Sequence, residues 1–129
     1  SGVKVRVSSF QTAWHDHLME KFDRLTLLPK GWDGYQGRGL NFRCARFAAD
    51  LIERLYEPNL MPPQLVPGSD GSLQFEWHIN RYDLEVDVLA PYNVEATLHH
   101  IDSGEFLSAE LTTDFSLLSQ WLHKVASSK

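Results

Sequence analysis

Hydrophobic positions along the chain change their period once. Over residues 8–26, Phe10, Trp14, Leu18, Phe22 and Leu25 recur at helical intervals, a single apolar stripe. Ser8 and Gln11 have the spacing of a capping box, and Pro29 closes the segment. Residues 41–57 repeat the pattern. Cys44, Ala48, Leu51, Ile52 and Leu55 make the apolar face, Asn41 is the expected cap, and Arg43, Arg46, Asp50, Glu53 and Arg54 face water or a partner. Pro58, Pro62 and Pro63 then interrupt the chain.

From Gln64 onward the period is two. Residues 64–66 read as a short strand, followed by the turn Pro67-Gly68-Ser69-Asp70-Gly71. Leu73, Phe75, Trp77 and Ile79 alternate with Gln74, Glu76 and His78; Tyr82, Leu84, Val86 and Val88 alternate with Asp83, Glu85 and Asp87. With Asn80-Arg81 as a two-residue turn, residue 79 faces 82, 77 faces 84 and 75 faces 86. Every such pair is apolar on apolar, so pattern alone determines the register. Residues 94–101 and 105–111 form a second hairpin around Asp102-Ser103-Gly104. A last helix is expected from about Thr113, carrying Phe115, Leu118, Trp121, Leu122 and Val125. Residues 3–7 alternate as a short edge strand would.

Strands in one run, with helices segregated in sequence, predict the α+β class. The expected architecture is two N-terminal helices, an antiparallel meander of about five strands, and a C-terminal helix packed on one face. Between the first two helices, residues 29–39 hold four glycines in eleven positions, which excludes an ordinary helix or strand. Trp32 and Tyr35 are large enough to pin this loop to the body.

Composition narrows the functional classes. The 129 residues suit one domain over 3–129, with residues 1–2 reading as a tag remnant. The net charge of −5 argues against broad nucleic-acid binding, although Arg38, Arg43, Arg46 and Arg54 form a local basic stripe around the second helix. A single cysteine, Cys44, fits a reducing cytosol, so a cytoplasmic location is expected. No apolar run reaches the roughly 18 residues of a membrane span, and the chain opens on no signal peptide.

The register that pairs the apolar face also fixes the other one. It sets Glu76 opposite Glu85, His78 opposite Asp83 and Gln74 opposite Asp87. Like charges directly across strands are destabilising, so two facing glutamates need a counter-charge, a shared proton, a metal or full solvation. A carboxylate pair with a nearby histidine suits a divalent ion. A solvated strand face is the commoner arrangement. Asp33, between Trp32 and Gly34, suits a turn in which its carboxylate caps its own backbone. His15/His17 and His99/His100 lack the spacing of a zinc site, and no phosphate-cradling motif or nucleophile elbow is present. No catalytic residue and no cofactor are assigned.

The stretch Leu28-Pro29-Lys30-Gly31-Trp32-Asp33-Gly34-Tyr35 resembles the L-P-x-G-W-D-G-Y loop of a scattered group of small, uncharacterised bacterial proteins. Pro63–Gly71, Glu76-Trp77-His78 and Asp83-Leu84-Glu85-Val86 resemble further motifs of that group, and the likeness covers about residues 8–125. The group is often carried on mobile or accessory DNA, so the resemblance implies a bacterial accessory protein and no particular reaction. The shared motifs include the Trp32-Asp33-Gly34 loop, Glu76 and Glu85. They are explained if the loop folds over the sheet and its amides satisfy the glutamates.

The favoured expectation is a non-catalytic protein-interaction module of the antitoxin, immunity or inhibitor type, bound to a protein partner or to a second copy. The candidate binding residues are Trp32, Asp33, Gly34, Tyr35, Glu76, His78, Asp83 and Glu85. The alternative is a metal-dependent hydrolase or small-ligand protein built on the Glu76/Glu85 face. Nucleic acid and membrane are not the expected partners.

Overall fold

A computed structural model describes residues 9–27 and 42–128. The glycine-rich loop with Trp32, Asp33, Gly34 and Tyr35, the Ser8 and Asn41 caps, and the expected strand over residues 3–7 lie outside the described residues.

Among the described residues, three helices and a five-stranded antiparallel sheet make an α+β fold. Helix α1 spans Ser9–Thr26 and α2 spans Phe42–Arg54; strands β1 (Gln64–Pro67), β2 (Leu73–Ile79), β3 (Tyr82–Ala90), β4 (Asn93–His100) and β5 (Phe106–Leu111) follow, then α3 (Ser116–Ser127). The spatial order β1-β2-β3-β4-β5 is the sequence order, a plain meander. Alternation fixes the register as expected, with Ile79 opposite Tyr82, Trp77 opposite Leu84 and Phe75 opposite Val86. Asn80 (φ 54°) and Arg81 (φ 66°) both take the left-handed conformation that a two-residue hairpin turn requires.

The apolar face of the sheet and the apolar stripes of the helices share one core. Phe22 of α1 meets Phe75 edge-on, and Trp14 lies against Trp77 and Tyr56. The proline-containing connection from α2 to β1 is held by two indoles. Trp14 Nε1 donates to the Leu60 carbonyl at 3.0 Å, and Trp77 Nε1 donates to the Met61 carbonyl at 3.1 Å. Helix α3 is tied to the first hairpin, where Asn80 Nδ2 donates to the Val125 carbonyl at 2.8 Å.

Element ends depart from the periodicity where side chains compete for the backbone. Helix α2 stops at Arg54, short of residue 57. Pro58 follows, and Glu57 Oε1 accepts the Asn59 N–H at 3.2 Å, which turns the chain away. Helix α3 begins at Ser116, after the expected Thr113. Asp114 Oδ1 accepts the Ser116 N–H at 3.0 Å, and Phe115 is not yet helical. Strand β3 runs on to Ala90 through a register shift between Val88 and Ala90. In the β1–β2 turn the Ser72 hydroxyl lies 2.2 Å from where a Cβ on Gly68 would stand, so only glycine fits there unless Ser72 moves.

Candidate functional site

The face of the sheet turned away from the core is the candidate site. Side chains alternate across a strand, so burying Phe75, Leu84, Val86 and Leu98 forces Glu76, Asp83, Glu85, Asp87, Glu95 and Glu110 outward together. No lysine or arginine occurs in any of the five strands. Three cross-strand rows organise the surface. One reads Val66, Gln74, Asp87, Glu95, Glu110; the next Gln64, Glu76, Glu85, Thr97, Ser108; the last His78, Asp83, His99, Phe106. The face is therefore polar along its strands, with carboxylates concentrated at one end and histidines at the other.

The structure brings together four of the sequence-predicted residues. Glu76 stands opposite Glu85, and His78 opposite Asp83. The imidazole of His78 resolves part of the glutamate conflict. Its Nδ1 lies 2.7 Å from Asp83 Oδ1 and its Nε2 lies 3.0 Å from Glu76 Oε1. Only the protonated ring can donate at both nitrogens. Hydrogen bonds donated to Asp83 first, and then to Glu76, accordingly hold the His78 pKa above its ordinary 6.5. The second oxygen of Asp83 stands 3.8 Å from His99 Nδ1, so Asp83 lies between two histidines.

At the acidic end no such cation is in reach along the strands. Asp87 has its pKa raised, by burial first and then by the charges of Glu95, Asp70 and Glu85. A shallow groove of about 210 Å³ borders the face, with Met61, Pro62, Gln64, Glu76 and His78 among its lining residues.

The contributions of Glu95 and Glu110 escape a reading that pairs only β2 with β3. The signal was present: setting the apolar positions Leu98 and Ala96 opposite Leu107 and Ala109 aligns Thr97 with Ser108 and Glu95 with Glu110, and the loop then spans residues 101–104, one residue more than the expected Asp102-Ser103-Gly104 turn. Trp32, Asp33, Gly34 and Tyr35 cannot be related to this face, since they lie outside the described residues, and so does the expected loop-to-glutamate lock.

Other sequence candidates occupy structural positions. Cys44 is buried on α2, where its thiol lies 3.4 Å from the Val88 carbonyl and burial pushes its pKa up to about 11. Arg43, Arg46 and Arg54 are exposed along α2, with the acidic Asp50 among them. Among the described residues no three His, Cys, Asp or Glu side chains are grouped to hold a metal ion. No helix among them is long and apolar enough to cross a membrane.

No family model matches the chain. No curated protein and no solved structure matches it either.

Proposed function

We propose that this chain is a non-catalytic protein-interaction module, of the kind found among bacterial accessory and mobile-element proteins, and that it acts in the cytoplasm. The outward sheet face binds a partner protein whose surface is basic. One observation carries this reading. The outward face gathers Glu76, Asp83, Glu85, Asp87, Glu95 and Glu110 on strands that contain no lysine or arginine. Complementary charge steers such a partner to the face and rejects acidic competitors. Neutralising the carboxylates also relieves their mutual repulsion, so the bound state recovers energy that the free protein lacks. Among the described residues no three His, Cys, Asp or Glu side chains are grouped to hold a metal ion, which supports this reading over the metal-dependent one.

The test is affinity capture from the source organism with wild type and with Glu85→Gln/Glu95→Gln, whose folding is first checked by thermal melting. The expected result is one stoichiometric partner with a basic surface, released as salt rises from about 0.1 to 0.5 M and lost in the double variant. A partner that ignores both salt and the double variant overturns the reading, as does the absence of any partner.

A further inference from the structure

The two edges of the sheet are built differently. Strand β1 is four residues long and ends in Pro67, both devices that discourage pairing. Strand β5, Phe106-Leu107-Ser108-Ala109-Glu110-Leu111, has no proline, no lysine and no break in its register with β4. Among the described residues, no strand pairs with its outer side. Phe106 is 62% exposed and Leu107, which points to the opposite face, is 37% exposed. Apolar surface therefore flanks the open backbone on both faces.

The direction of the free backbone groups follows from one hydrogen bond. His100 N–H donates to the Glu105 carbonyl at 2.9 Å, so residue 105 bonds toward β4. Alternation along an antiparallel pair then turns Leu107, Ala109 and Leu111 toward β4, and turns the N–H and C=O groups of Phe106, Ser108 and Glu110 outward.

We infer that β5 pairs antiparallel with β5 of a second copy of this chain, about a two-fold axis at Ser108, to give one continuous ten-stranded sheet. This register pairs all the outward groups at once: Ser108 with Ser108, and Phe106 with Glu110 in both directions. It also obeys the charge pattern of the outward face. A two-fold sets opposite ends side by side, so the Asp87–Glu95–Glu110 row of one copy continues into the Phe106–His99–Asp83–His78 row of the other. Slipping by two residues in one direction sets Ala109 on the axis and brings the two Glu110 side chains onto diagonal positions, where like charges repel. The inference stands on the edge strand and does not depend on the acidic face binding a partner.

Strand pairing of this length buries less than the roughly 800 Å² per partner of a standard interface, so the dimer is expected to form in the micromolar range. Sedimentation of the full chain from about 5 to 500 µM should show a dimer fraction that rises with concentration. Ser108→Pro removes an outward N–H without touching the β4 ladder, and should leave a folded monomer. Should that variant not fold, cysteine pairing decides. Directly opposed residues of a hydrogen-bonded pair lie about 5.5 Å apart at Cα, within disulfide reach. Oxidised Ser108→Cys should therefore run as a covalent dimer and Ala109→Cys should not, while Cys44 is buried and does not compete. Wild type that stays monomeric throughout overturns the inference. So does a folded Ser108→Pro variant that still dimerises, or cross-linking through Ala109→Cys in preference to Ser108→Cys.

Discussion

The two faces of the sheet are made by the same strands and obey opposite rules. On the inner face Leu73, Phe75, Leu84, Val86 and Val88 have no exposed surface at all, and every cross-strand neighbour is apolar. On the outer face Glu76 opposes Glu85, Asp87 opposes Glu95 and Glu95 opposes Glu110. Such like-charge pairs are unfavourable by about 0.2–1 kcal/mol each. A surface shaped by stability alone would intersperse lysine or arginine. The inner face thus carries the fold, and its margin tolerates an outer face organised for something else. That division is why the proposed binding role is placed on the outer face, where the side chains are not dictated by packing.

The comparison is broken most directly at the core. Phe75 is fully buried against Phe22 and Trp77. Phe75→Ala should cost about 3–5 kcal/mol in chemical denaturation, whereas Gln74→Ala, one residue along on the outer face, should change stability by about 0.5 kcal/mol or less. Equal effects would mean that the faces do not divide the labour. Next in size is Trp14→Phe. It keeps the ring in the core but leaves the Leu60 carbonyl without its 3.0 Å donor, an expected loss of about 1–3 kcal/mol. An unchanged denaturation midpoint would show that the connection between α2 and β1 is held without that bond.

Most of this division was legible in the chain. Strict alternation over residues 73–88 around Asn80-Arg81 leaves one register that buries apolar side chains, and the same register forces the carboxylates together. Element ends were less legible, because they depend on single side chains such as Asp114 and Glu57 capturing a backbone N–H. Periodicity carries no trace of those contacts. The role of His78 was half visible. Its position opposite Asp83 follows from pairing, but its second bond reaches Glu76 two residues along its own strand, which depends on the rotamer.

The outer face can be sharpened by removing one charge. Burial and the neighbouring carboxylates raise the Asp87 pKa in the folded protein, so the folded state holds that proton more tightly than the unfolded chain does. Stability from this residue is then greatest below the ordinary carboxylate pKa and falls as pH rises through the raised folded value. Asp87→Asn should stabilise the protein by about 0.2–1 kcal/mol at pH 7, and the gain should shrink in melts at lower pH. Destabilisation at pH 7 would show that the ionised carboxylate is held by a favourable partner instead.

The smallest effect tests the histidine that bridges two carboxylates on that face. His78 gains both carboxylate partners on folding, so its folded pKa lies above 6.5. The sign is opposite to that of a salt-bridged acid. The stabilisation is fully present below the unfolded pKa and is lost as pH rises through the folded value. Because the ring is 47% exposed, solvent screens the pair, and the contribution should be only about 0.2–0.5 kcal/mol. The titration is the sharper readout. The ring protons of His78 should show a midpoint above 6.5 by NMR, and Asp83→Asn, which removes the larger of the two causes, should lower that midpoint more than Glu76→Gln does. If Glu76→Gln has the greater effect, the histidine serves the facing glutamates first. The Glu76–Glu85 conflict, and not the Asp83 bridge, would then be what holds His78 on this face.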